Sequence, residues 1–146
     1  MAQGNNTYEE TLAMMTGITE ITRNGAKSAR GLISIQSRLN QITDAGSSTG
    51  KKLTAWYKEH NIAIYDQEGQ LRNLFEIAGE VAKIWDDLSK NEQMYYLNTQ
   101  AGANQTQNLA ALISNYDQVL YAHELALDSV GSAEQENARY MESLEA

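Results

Sequence analysis

Apolar residues recur three and four positions apart along most of this chain, the period of helices that bury one face. Tyr8, Leu12 and Met15, with Met14, Ile18 and Ile21 beside them, give a first helix to about Asn24. An apolar face that wide predicts neighbours on two sides. Its start carries two overlapping capping-box options in Asn6-Thr7-Tyr8-Glu9-Glu10, with Asn6 or Thr7 as cap. Asn24-Gly25 reads as the stop, because glycine readily takes the left-handed conformation that ends helices. A second helix follows from about Ala26 to Asp44, with Leu32, Ile35, Leu39 and Ile42 forming the seam of an antiparallel helix pair or short coiled coil. After the Ala45–Gly50 break, a short helix begins at Thr49 or Lys51. It runs to about His60 and carries Leu53, Trp56 and Tyr57.

At Ile62 the period changes. Ile62, Ile64 and then Tyr65 alternate, and Asp66-Gln67-Glu68-Gly69 has Asp and Gly where a type I turn favours them. The expectation is a minimal β-hairpin or extended turn near residues 62–72, leaning on the helices because two short strands are unstable alone. A clean helical stripe follows through Leu74, Ile77, Ala78, Val81, Ile84, Trp85 and Leu88. Ser89-Lys90-Asn91-Glu92 is a capping box for a helix ending near Ala101-Gly102. Leu109, Leu112, Ile113 and Tyr116 mark the next helix, and another continues through Val119, Leu120 and Leu127 to Ser129. Gly131 breaks the chain, and Ser132-Ala133-Glu134-Gln135 caps a last helix bearing Tyr140, Met141 and Leu144. That helix meets Ala146 without a terminating Gly or Asn, as a cut through a longer protein or a frayed natural end would. The fold class is all-α, seven or eight helices in a bundle or elongated array. It forms one segment over 1–146, with possible sub-parts 5–60 and 61–146.

Composition narrows the chemistry. With 146 residues the chain can bury a real core, and the absence of Pro favours unbroken helices. The absence of Cys removes disulfides, thiolate catalysis and cysteine zinc sites. A formal charge of -8, with no basic cluster larger than Lys51-Lys52, disfavours nucleic acid and anionic membrane surfaces. No apolar run approaches the roughly 20 residues of a membrane span, and the first residues do not resemble a secretory signal.

The motifs that approach chemistry each lack a necessary part. Gly46-Ser47-Ser48-Thr49-Gly50 matches the nucleophile elbow G-x-S-x-G, which needs a preceding strand in a large sheet, yet a helix precedes Ser48. As a phosphate loop the same stretch has Ala45 in place of the first glycine and Lys52 in place of the hydroxyl. His123-Glu124 begins like a zinc helix, but Leu127 takes the second histidine's position, so His123 reads as a buried or half-buried structural residue. His60 suits the negative end of its helix. Asp66 to Gly69 lacks the calcium-loop glycine and glutamate, and Asp86 and Asp87 diverge by about 100° on a helix. Tyr8, Tyr95, Tyr116 and Tyr140 fall on or beside the apolar stripes, where rings pack and hydroxyls reach the rim. No catalytic, cofactor or metal residues follow.

From Asn5 to Ala146 the chain resembles the core of phage tail tape measure proteins. The likeness lies in NNTYEETLAMMTGITEITRNGAKSARGLISIQSRL, IAIYDQEGQLRNLFEIAGEVAKIWDDLSKNEQMYYL, AGANQTQNLAALISNYD and ALDSVGSAEQENARYMESLEA, in that order. Its landmarks are the step from Ile62 to Gly69, Trp85 before Leu88-Ser89, Ala101-Gly102 and Gly131-Ser132-Ala133. The Ser47 to Gly50 loop departs from the pattern. The resemblance implies a structural protein that fills the tail tube and sets tail length. It would meet its own copies, tube protein and assembly chaperones, in the host cytoplasm during assembly and then in the virion. It transfers no catalytic residue, only a packing scheme with Trp85 as anchor and Gly69, Gly102 and Gly131 as breaks. One unbroken helix of this chain would span only about 220 Å, so the chain would be a segment of the tape. The rival expectation is a stand-alone helical adaptor or ligand-sensing bundle. An enzyme ranks third, resting on Ser48 alone.

Overall fold

The computed structural model describes residues 5–129. Among them the chain forms seven α-helices and no strand. These are α1 (Tyr8–Thr22), α2 (Gly25–Asn40), α3 (Ser48–Glu59), α4 (Leu74–Ile84), α5 (Lys90–Ala101), α6 (Thr106–Ser114) and α7 (116–129). Single 3₁₀ turns at Gln41–Thr43, Trp85–Asp87 and Ala103–Gln105 follow α2, α4 and α5. The expected last helix lies outside the described residues.

Side-chain caps set most of the helix starts, because the first amides of a helix have no partner within it. Thr7 closes a capping box with Glu10, and Ser89 closes one with Glu92. Asn24, Ser47 and Asn73 accept the N–H groups of Lys27, Gly50 and Glu76. Asn24-Gly25 therefore starts α2 rather than stopping α1. The left-handed residue that ends α1 is Arg23, at φ 60°.

The expected hairpin does not form. A single antiparallel bridge joins Tyr65 to Leu71, flanked by Asp66 N–H to the Gln70 carbonyl and Arg72 N–H to the Ile64 carbonyl, both 2.8 Å. The turn from Asp66 to Gly69 is present, with Gly69 at φ 81°. The Asp66 carboxylate accepts the amides of Glu68 and Gln70, each at 2.9 Å. The bond from Gln70 competes with a strand ladder, so the segment closes as a turn while Ile62 and Ile64 bury themselves against the helices.

One hydrophobic cluster runs through the molecule. α2 lies against α1, α3, α5 and α6, and α1 also packs on α4 and α6. The seam Leu32, Ile35, Leu39 and Ile42 is buried, and so are Leu74, Ile77 and Val81 of α4. Helices before and after residue 60 share this core. On α1 the buried side is Ala13, Met14, Gly17 and Ile18, while Tyr8, Leu12 and Ile21 of the expected face are exposed. Gly17 marks where α7 crosses: a Cβ there would stand 2.3 Å from Cγ2 of Val119.

Trp85 is not the buried anchor. α4 ends at Ile84, so Trp85 lies in the following 3₁₀ turn, half-buried, while Trp56 is 4% exposed.

Candidate functional site

The near-miss motifs resolve into local structure. Ser47 caps α3, accepting Gly50 N–H at 3.0 Å and donating to Gln41 Oε1 at 2.8 Å. Ser48 is the exposed first residue of that helix, and what precedes it is α2 and its 3₁₀ turn, with no strand to make an elbow. His123 packs half-buried on α7 against Phe75, ring centroids 4.8 Å apart. His60 stacks on Trp56 at 4.0 Å, its Nδ1 2.8 Å from the Trp56 carbonyl and its Nε2 3.4 Å from Glu92. The Glu92 carboxyl is held below its usual range by the Ser89 amide first and then by His60. Asp86 and Asp87 are exposed in the 3₁₀ turn. Among the described residues no group of three or more His, Cys, Asp or Glu could hold a metal ion.

The buried polar groups are linked in structural networks. Tyr57, fully buried on α3, donates its hydroxyl to Gln100 Oε1 at 2.5 Å, and the Tyr96 hydroxyl lies 2.8 Å from it. Gln100 Nε2 donates to the Ile35 carbonyl at 3.1 Å, which joins α2, α3 and α5. Burial pushes both phenols well above their ordinary range, with the neighbouring Tyr96 adding to the rise at Tyr57. Asn6, the other expected cap, turns inward instead: it accepts Phe75 N–H at 3.1 Å and donates to Gln36 Oε1 at 2.7 Å. Asn115 donates to the Gly17 carbonyl at 2.9 Å and fixes the start of α7 on α1. Sequence reasoning missed Gln36, Gln100 and Asn6 as core residues. The available signal was Tyr96 and Gln100 one helical turn apart beside Leu97 and Ala101.

A groove of about 670 Å³ lies between α4 and the end of α6 with the start of α7. Phe75 and Tyr116 form part of its lining, with Trp85 and Leu120. Gly79 lets the Tyr116 ring lie directly on α4, since a Cβ there would meet the Tyr116 hydroxyl at 2.8 Å. Tyr116 donates to the Phe75 carbonyl at 2.5 Å. Its phenol is pushed up to about 12 by burial first, then by the charges of Glu10 and Glu76. Arg72 pairs with Glu80 and, at 3.3 Å, with Glu76. Burial pulls its guanidinium down, but the two carboxylates outweigh that and hold it above its ordinary value.

The arrangement offers a shaped groove bordered by more carboxylates than cations. No protein-family model matches the chain, and no curated protein or solved structure shows significant similarity to it.

Proposed function

We propose that the chain acts by protein–protein contact, as a helical segment of a phage tail tape measure protein. The observation that carries this reading is the ordered resemblance over nearly the whole sequence. Three of its landmarks within the described residues fall at element boundaries: Asp66 to Gly69 is a turn, Ser89 caps α5, and Gly102 ends it at φ 87°. The polar groups described above are spent on packing, which supports a structural role. Because seven helices fold round one core, the segment would be a folded module on the tape rather than its extended, length-measuring part. Its partners would be other copies, tube protein and assembly chaperones, and its place the tail tube of the virion.

The test is genetic. In tailed particles from the source culture the chain should be detected by mass spectrometry as part of a longer polypeptide. In-frame deletions or duplications elsewhere in that polypeptide should shorten or lengthen the tail in proportion. Particles without the chain, or tails of unchanged length, would overturn the proposal. They would leave the stand-alone interaction bundle, a reading that the shared core and individually capped helices favour.

A further inference from the structure

We propose that the α4–α7 groove is a docking site for a basic amphipathic helix of a partner protein. α7 buries Tyr116 and Val119 and half-buries Ala122 and His123. Its other large apolar side chains face water: Leu120 is 43% exposed, Tyr121 55%, Leu125 49% and Leu127 50%. Isolated exposed leucines are ordinary; here Tyr121 and Leu125 lie beyond the stripe of Asp117, Glu124 and Asp128, and the apolar strip beside the groove is the pair Leu120 and Leu127. Leu120 and Leu127 lie two turns apart on the same side of α7, and Leu120 lines the groove together with Trp85.

Charge selects the occupant. Residues 116–129 carry Asp117, Glu124 and Asp128 and no Lys or Arg. The α4 side adds Glu76, Glu80 and Asp86 against Arg72 and Lys83, and Arg72 is engaged by Glu80 and Glu76. A second copy docked face to face would set these carboxylates against each other, in a chain that already carries -8. Residues 130–146, with four Glu and one Arg, have the same sign. A partner helix with apolar residues three, four and seven apart, edged by Lys or Arg, meets both the apolar strip and the acidic border. The α4–α7 surface would take such a helix whether or not the chain belongs to a phage tail.

The probe is a synthetic helix of about five turns with Leu on one face and Lys beside it, titrated calorimetrically at about 0.15 M salt. Controls are the same peptide with Glu for Lys and a scrambled one. The lysine peptide should bind one to one. The double variant Leu120→Gln/Leu127→Gln should weaken it about tenfold or more, a loss of one decade in Kd. Tyr8→Gln/Leu12→Gln, equally exposed on α1, should not change it. Since all four residues face solvent, circular dichroism should confirm an intact fold. Absence of binding would overturn the proposal, as would equal binding by a control peptide or by the groove variant. So would self-association abolished by the same double variant, which would make a second copy the occupant.

Discussion

The surroundings of the two tryptophans divide the molecule into a closed side and an open side. Trp56 sits among Tyr57, Tyr96 and His60, its ring centroid 4.3 Å from that of Tyr96 and 4.0 Å from His60. Behind it the hydroxyls of Tyr57 and Tyr96 and the amide of Gln100 satisfy one another. Trp85 touches the same cluster only at its edge, 6.0 Å from Tyr96, and otherwise borders the α4–α7 groove. Both tryptophans occur in helical apolar patterns. The difference is that α3 and α5 close over Trp56, while α4 stops one residue before Trp85. Burial of an aromatic depends on the next element in space as much as on its own stripe.

Alkaline pH probes the buried phenols of both sides, Tyr57 and Tyr96 on the closed side and Tyr116 under the groove. Tyr57, Tyr96 and Tyr116 have folded pKa values raised above the unfolded value near 10. The native state therefore holds its phenolic protons longer than the unfolded chain does. That contribution to stability is full below about pH 10 and is lost as pH rises through about 12 and beyond. Tyrosinate absorbance should show three of the eight tyrosines ionising only as the helical signal collapses. All eight titrating near pH 10 in an intact fold would mean that these rings are not enclosed.

The tryptophans themselves give the next contrast. Trp56→Ala should cost about 3–5 kcal/mol in denaturant unfolding, since it leaves a cavity in packed surroundings. Trp85→Ala, removing a half-buried ring, should cost roughly 1–2 kcal/mol. Equal losses would erase the distinction between the two sides. The smallest effect belongs to the open side: Leu120→Gln and Leu127→Gln should each shift stability by less than about 0.5 kcal/mol. A larger loss would show these leucines packed against something in the isolated chain.

The difference between the sides also explains which parts of the fold could be read in advance. Two helix starts were legible because a cap is a local bond between residues three apart, as at Thr7 and Ser89, while the caps at Asn24, Ser47 and Asn73 went unread. The α2 seam was legible because Leu32, Ile35, Leu39 and Ile42 present one narrow face. The minimal hairpin failed because the Asp66 carboxylate captured the Gln70 amide that a ladder would need. Asn6 passed for a cap because its other partners, Gln36 and Phe75, lie 30 and 69 residues away. Nothing near Gln100 in the chain announced that Tyr57, 43 residues earlier, would meet it.

By itself, then, the sequence determined an acidic all-α chain and the approximate positions of most of its described helices. Those properties arise from composition and from interactions spanning a helical turn. Tertiary structure alone decided which apolar residues became core and which remained in water. Tyr8, Leu12, Leu120 and Leu127 belong to stripes as regular as those of Met14 and Leu112. Whether such a stripe is covered depends on where Gly17 lets α7 cross α1 and where α4 ends, and both are set by contacts between distant segments.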